Sequence, residues 1–303
     1  MELKELSLHF NGSAEVHFGE GETYYSRKEL YYNEKLILSP DEGTEIPTGA
    51  TLFPFTFDLP GDLPASFESE YAYVRYTLIA QLKRTADYDY NSKRAITVLS
   101  HLNLNDENGV QEPIEVQAIE RLGYLCCQSG PVAEVLRLDK TGYAPGETIS
   151  VNLELRNQSN ERCTGQVFFI QHMKAHAYSK TKTFVKEIYM GDRKSVCPGD
   201  SDTWCEKVVV PPIPSSYLRG CSIIDIKYEL KVKVRPNGCH CNFNVCQEIV
   251  IGTVGLGRDN TDVYKPYNKK EGFRIQFPDK RTYGQLVFFP EFPYYECADR
   301  IQK

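Results

Sequence analysis

Ile224-Asp225-Ile226-Lys227-Tyr228-Glu229-Leu230-Lys231-Val232-Lys233-Val234-Arg235 is the stretch whose reading decides the fold. Every even position is apolar or aromatic and every odd position is charged. A period of two held over this length describes a strand with one dry face and one wet face, the pattern of antiparallel sheets. A helix would need apolar residues every three or four positions, and none of the phases of this stretch supplies them.

The same pattern recurs upstream. From Leu6 to Phe18 the even positions read Leu, Leu, Phe, Gly, Ala, Val, Phe against Ser, His, Asn, Ser, Glu, His, with Gly12 marking a bend or bulge. Val74, Tyr76, Leu78, Ala80 and Leu82 repeat it, as do Ile149, Val151, Leu153 and Leu155. Seventeen prolines and 21 glycines punctuate these runs, and long helical periodicity is nearly absent. Many short strands with frequent turns indicate an all-β chain of sandwiches or barrels.

An internal repeat organises it. Pro60-Gly-Asp-Leu-Pro64-Ala-Ser66-Phe67 leads to Val74-Arg-Tyr76-Thr-Leu78, and Pro211-Pro-Ile-Pro214-Ser-Ser216-Tyr217 leads to Ile226-Lys-Tyr228-Glu-Leu230. Each is a proline-bearing connection with a serine and an aromatic, feeding a long amphipathic strand. One sandwich duplicated accounts for this better than one large domain. The expected division is a first domain over 1–105, an acidic turn-rich linker over 106–118 (beginning Asp106-Glu-Asn-Gly), a second domain over 119–255 and a tail over 256–303.

Composition narrows the function. The 303 residues suffice for two domains that each bury a core. No apolar run approaches the roughly 18–20 residues that span a bilayer, and Met1-Glu-Leu-Lys-Glu-Leu6 lacks the basic and apolar regions of a signal peptide. A cytosolic location is expected. All ten cysteines lie at or after Cys126, so reduced thiols rather than a disulfide framework are expected. Of the net charge of −6, residues 1–105 carry 9 basic against 16 acidic side chains, and 119–303 carry 26 against 21. No concentrated basic face points to nucleic acid. The mildly basic second half suits an anionic membrane leaflet.

The repeat units are similar to those of the alpha-arrestins, the arrestin domain-containing proteins. Leu52-Phe-Pro54-Phe55-Thr-Phe57, the Pro60–Phe67 connection and Tyr71-Ala-Tyr73-Val-Arg75-Tyr76 resemble that family's first-domain signature. Tyr143-Ala-Pro145-Gly146-Glu147 resembles the turn that opens its second domain. Trp204, the Val210–Ser216 stretch and Cys221-Ser-Ile-Ile224 resemble that domain's later strands, and Ile249-Val-Ile-Gly252-Thr253 its closing strand. The resemblance implies two tandem immunoglobulin-like antiparallel β-sandwiches. It also implies an adaptor that links membrane receptors or transporters, as cargo, to ubiquitination and endocytic sorting.

Three positions depart from the family pattern. Met1 falls almost on the Leu6–Phe18 strand, so the first sandwich is expected to lack its opening strands, as in a shortened isoform or truncated product. Pro-Pro-x-Tyr, which recruits ligases with WW domains, is absent. The tail offers only Phe292-Pro293-Tyr294-Tyr295, so a ubiquitin ligase is expected to be reached indirectly. Ser201 stands where the thioredoxin-binding branch carries a reactive cysteine three residues before the tryptophan.

Candidate chemistry is sparse. Cys239-His240-Cys241 with Cys246 lacks the paired knuckle spacing of a zinc site, with Cys246 an odd number of residues away. Cys126-Cys127 suggests acylation, but adjacent strand residues point to opposite faces. These five cysteines are read as ordinary strand residues. Gly252-Thr-Val-Gly255-Leu-Gly257 is read as a flexible strand exit rather than a dinucleotide loop. His172 and His176 are read as solvent-facing strand residues. Lys180, Lys182, Lys186, Arg193 and Lys194 form the one basic set with a functional reading, an anionic-lipid or phosphopeptide contact, beside that of a solvated strand face. No catalytic, cofactor or metal residues are assigned. The reading is a non-enzymatic trafficking adaptor, peripheral at the plasma membrane or endosomes. The rivals are a retromer-like sorting subunit and a zinc- or cysteine-dependent protein.

Overall fold

A computed structural model describes residues 2–39, 44–45, 49–84, 89–124, 127–238, 241–258, 265–268, 273–275, 282–285 and 287–295. The first part of the chain forms β1 (Glu2–Glu20), β2 (Thr23–Ser39), β3 (Thr44–Glu45), β4 (Phe67–Glu68), β5 (Ala72–Arg84) and β6 (Tyr90–Ile96). The second part forms β7 (Ile114–Tyr124), β8 (Cys127–Leu138), β9 (Gly142–Tyr143), β10 (Thr148–Asn157), β11 (Cys163–Ala177), β12 (Lys180–Met190), β13 (Lys194–Val196), β14 (Ser201–Val209), β15 (Ile224–Pro236) and β16 (Phe243–Ile251). The tail adds β17 (Lys265–Asn268), β18 (Phe273–Arg274), β19 (Thr282–Gly284), β20 (Val287–Phe288) and β21 (Glu291–Tyr294). Among the described residues the helices are two single 3₁₀ turns, at Leu104–Asp106 and Ser216–Leu218. Among the described residues no helix is long and apolar enough to cross a membrane.

The chain is all-β, a tandem of β-sandwich units. The second unit is a complete sandwich, with a four-stranded sheet in the order β14-β10-β8-β7 facing a larger sheet in the order β12-β11-β15-β16-β9. Its core follows the alternation. Ile224, Ile226, Tyr228, Leu230, Val232 and Val234 are all buried on the inner face of β15. At about 1.5–3 kcal/mol per side chain, that one face contributes on the order of 10 kcal/mol before chain entropy is charged against it. Val151 and Leu153 of β10 and Leu136 of β8 meet it from the other sheet.

The first unit has one extended sheet, β6-β5-β1-β2, in which Leu6, Leu8, Phe10, Ala14, Val16 and Phe18 turn inward with Val74 and Tyr76. Among the described residues its facing layer carries no ladder of its own. The connections supply it instead: Leu63, Ala65 and Val98 are buried there, and Phe57 packs on Phe10 with ring centroids 5.6 Å apart. Gly12 is indeed a register shift in the β1–β2 ladder, and it lies opposite Tyr76. A Cβ there would come within 2.4 Å of the Tyr76 ring, so glycine is what lets the ring lie flat on the backbone.

The sequence repeat is a repeat of hydrogen bonds. Tyr76 donates its hydroxyl to the Pro64 carbonyl at 2.6 Å, and Tyr228 donates to the Pro214 carbonyl at 2.7 Å. Ser66 Oγ accepts the Val98 N–H at 2.9 Å, and Ser216 Oγ accepts the Ile251 N–H at 2.9 Å. Each connection is thus tied to the strand it feeds and to the exit of the following one.

Between the units the acidic stretch is packed. Val110 is buried and its carbonyl accepts both Thr141 and Gly142 N–H at 2.9 Å, while Ile114 already begins β7. The glycine-bearing exit after β16 is pinned as well: Thr253 Oγ1 accepts the Leu102 N–H at 2.8 Å, and Gly252 abuts Leu104. It is a docked segment, not the flexible exit expected from composition.

Candidate functional site

Two hairpin tips from the two units meet at one edge of the molecule. β1 and β2 turn through Gly21 and Glu22, and β11 and β12 turn through Tyr178 and Ser179. Lys180 Nζ lies 3.0 Å from the Glu20 carboxylate, and Lys182 Nζ donates to the Gly19 carbonyl at 2.7 Å. Below the tips the Phe184 ring stacks on Tyr71 at 4.1 Å and 12°, and sits 6.5 Å from Phe18. Aromatic burial and two lysine contacts therefore hold the tips side by side.

What the crest leaves outside is aromatic. Tyr24 is 87% exposed and Tyr178 is 80% exposed. Tyr178 has φ +56°, as the first residue of a two-residue hairpin turn requires, although asparagine or glycine usually fills that position. A bulky residue held in this region without packing around it is unexplained by the fold itself.

The tail crosses both units. β19 adds in parallel to the edge of β6. Further on, Phe292 is buried in a cleft bounded by Phe67 and Glu68 of the first unit and Gln171, Ile213 and Pro214 of the second. Burial pushes the Glu68 carboxyl upward, opposed by Arg75, which it meets bidentately at 2.7 and 2.8 Å. Tyr295 donates its N–H to the Pro145 carbonyl at 3.0 Å and its hydroxyl to the Thr253 carbonyl at 2.8 Å, with Arg258 4.4 Å over the ring. Phe292, Pro293 and Tyr295 are all buried.

The basic set expected to meet lipid or phosphopeptide is divided by the structure. Lys180 and Lys182 tie the units together, Lys186 lines the Phe292 cleft, and Arg193 and Lys194 remain on the surface. His172 lies half-buried 3.6 Å from Glu229, and His176 Nδ1 lies 2.8 Å from Thr181 Oγ1. Cys126, Cys239 and His240 lie outside the described residues, as does the side chain of Cys127. Cys241 is exposed ahead of β16, and Cys246 is exposed on it, with burial and Glu229 pushing its thiol up to about 11. Among the described residues no three His, Cys, Asp or Glu side chains are grouped as a metal site. Sequence reasoning missed the crest residues Glu20, Tyr24 and Tyr178. Tyr178-Ser179 between two period-two runs was the signal for a turn, but nothing local shows that two turns meet.

Comparison with known proteins agrees with this architecture. Residues 2–105 match the model of the arrestin (or S-antigen) N-terminal domain, and residues 128–256 match that of its C-terminal domain. The chain belongs to the arrestin domain-containing family, the alpha-arrestins. It is 31% identical over 216 residues to arrestin domain-containing protein 17 of Caenorhabditis elegans, covering 69% of this chain and 49% of that one. It is 29% identical over 230 residues to arrestin domain-containing protein 4 of Mus musculus (74% and 55%) and 28% identical over 196 residues to arrestin domain-containing protein 1 of Homo sapiens (64% and 45%). The alpha-arrestin chain thus spans about half the length of these curated relatives.

Proposed function

We propose that this alpha-arrestin is a non-enzymatic adaptor in the trafficking of membrane proteins, docking receptors or transporters as cargo on the crest where its two hairpin tips meet. Family membership supports the adaptor role. The observation that carries the docking reading is the pair Tyr24 and Tyr178, which the fold exposes on two tips it otherwise locks together. Rigid aromatic side chains give large contact area at little entropy cost, which suits a recognition surface carried on a sandwich. In this reading the protein works in the cytoplasm, peripheral to the plasma membrane or endosomes. It reaches a ubiquitin ligase through a partner, because Pro293 and Tyr295 are engaged in packing.

Proximity labelling by the tagged chain in cells tests it. Tyr24→Ser with Tyr178→Ser should cut enrichment of membrane proteins at least about tenfold, the effect of losing two anchors worth about 1 kcal/mol or more each, while the fold stays intact by circular dichroism. Unchanged enrichment in a folded double variant removes the crest from the reading.

A further inference from the structure

The connection between the second 3₁₀ turn and β15 is wound against its preference. Tyr217 has φ +70°, Leu218 φ +42° and, beyond Arg219 at φ −50°, Gly220 φ +85°, three left-handed residues of which only the glycine adopts that region readily. Leu218 is fully buried and Tyr217 donates its hydroxyl to Glu248 at 3.2 Å, which holds one side of the segment. The other side leans on the first unit and on the segment that follows it. A Cβ on Gly220 would lie 2.1 Å from the Asp62 carbonyl oxygen, and Arg219 pairs with Glu107 at 2.6 Å.

The segment ends on one carboxylate. Glu29, on edge strand β2, accepts the Ser222 N–H at 3.1 Å and the Ser222 hydroxyl on its other oxygen. The same carboxylate takes the Tyr31 hydroxyl at 2.7 Å and the Arg27 guanidinium at 3.2 Å. Burial works to raise the Glu29 carboxyl, but the hydrogen bonds from Ser222 and Tyr31 outweigh it and hold its pKa below the usual value. Glu29 is therefore charged and saturated with donors, two of them from Ser222. Ser222 is itself exposed, with Arg219 three residues before it.

We propose that Ser222 is a phosphorylation site and that its modification releases the strained 217–222 segment from the first unit. A serine kinase that reads an arginine three residues upstream would transfer the terminal phosphoryl of a nucleoside triphosphate to Ser222 Oγ. The bond to the nucleoside diphosphate breaks, the diphosphate leaves and the hydroxyl proton is lost. The latch then loses its hydroxyl donor and gains nearly two negative charges beside a carboxylate already balanced by Arg27. Arg219 cannot compensate without leaving Glu107. With the latch repelled, the Gly220 contact with Asp62 and the Arg219–Glu107 pair remain to hold the segment against the strain at Tyr217 and Leu218, and relaxation of the backbone favours the open junction.

The test uses the full chain with phosphoserine incorporated at position 222 by codon suppression, followed by hydrogen exchange. Peptides over residues 25–37 and 217–223 should exchange about tenfold faster or more, while β10 and β11 keep their protection. Wild-type or slower exchange at the junction overturns the release. Glu29→Gln keeps the shape and removes the charge, so phosphoserine in that background should speed exchange several-fold less; equal acceleration overturns the repulsion mechanism. Incubation of the purified chain with an arginine-directed serine kinase and ATP should place phosphate on Ser222, and Arg219→Ala should suppress it. Phosphate absent from Ser222 overturns the site.

Discussion

The two halves solve the same problem twice with different materials. In both, a tyrosine on the central strand reaches back to a proline carbonyl, at 2.6 Å for Tyr76 and 2.7 Å for Tyr228. The residue across the ladder differs. Opposite Tyr76 is Gly12, which leaves the ring on bare backbone; opposite Tyr228 is Gln171, whose Nε2 donates to the tyrosine oxygen at 2.9 Å. The second half builds a hydrogen-bonded core between two sheets. The first uses one sheet covered by connections, and leaves Leu30 62%, Leu52 93% and Phe55 48% exposed. A repeated device therefore does not imply an equal degree of closure.

The largest expected difference between the halves is in pH dependence. Glu134 on β8 is buried between Leu155 and Ala118 with neither carboxylate oxygen hydrogen-bonded among the described residues, and burial pushes its pKa up to about 8. A folded pKa above the unfolded value near 4.5 means that the native state keeps a proton the unfolded chain has lost. The Glu134 contribution to the stability of the second unit should be fully present below pH 4.5 and fall by about 1.4 kcal/mol per unit as pH rises toward 8, on the order of 4–5 kcal/mol in all. In the first unit Glu5 works the other way: hydrogen bonds from Lys35 and Lys83 lower its pKa to about 2, so that its contribution is present above pH 4.5 and lost on acidification. Trp204, the chain's single tryptophan, lies on β14 and reports on the second unit alone. Urea titrations followed by its fluorescence should show the slope, and Glu134→Gln should flatten it. A pH-independent wild type would erase this contrast.

Next come the paired tyrosines. Tyr228→Phe orphans the Pro214 carbonyl and Gln171 together and should destabilise by about 2–4 kcal/mol; Tyr76→Phe orphans one carbonyl and should cost about 1–3 kcal/mol. Gly12→Ala, which drives a methyl into the Tyr76 ring, should cost a further 1–3 kcal/mol or so by overpacking. Equal losses from both Phe variants in denaturant melts would mean that Gln171 contributes nothing to the second core.

Smaller still is the expected difference in local opening. β2 is a long edge strand with Tyr24, Leu30 and Ile37 exposed, so limited proteolysis should cut within residues 1–105 before 128–256. Matching digestion times would show that the connections close the first unit as well as a second sheet closes the other. The smallest effect is expected from the tail. An isolated WW domain titrated with the chain should bind no tighter than about millimolar, near 4 kcal/mol, because one proline and a packed tyrosine offer no polyproline groove ligand. Low-micromolar binding lost on Tyr294→Ala would break that expectation.

Much of this was legible along the chain. The facing of β1, β5, β10 and β15 follows from period two, because a strand's burial is written in its own alternation. The bulge at Gly12 and the duplicated proline connections were legible for the same reason: turn and bulge chemistry acts over a few residues. The fate of Lys180 and Lys182 was not, since a lysine on a wet strand face reads the same whether it meets water or Glu20 and Gly19 of another unit.

Sequence alone determined that this is an all-β tandem of the alpha-arrestin type, with its inward residues and its repeat in place. Tertiary structure alone decided that the tail lies across both units, that the connection at 217–222 carries left-handed Tyr217, Leu218 and Gly220 against Asp62 and Glu29, and that Glu134 has no hydrogen-bond partner among the described residues. The physical reason is range. Alternation and turns are set by neighbours in the chain, whereas the strained connection and the docked tail depend on atoms brought from more than a hundred residues away, and the buried carboxyl on the strands paired to either side of it.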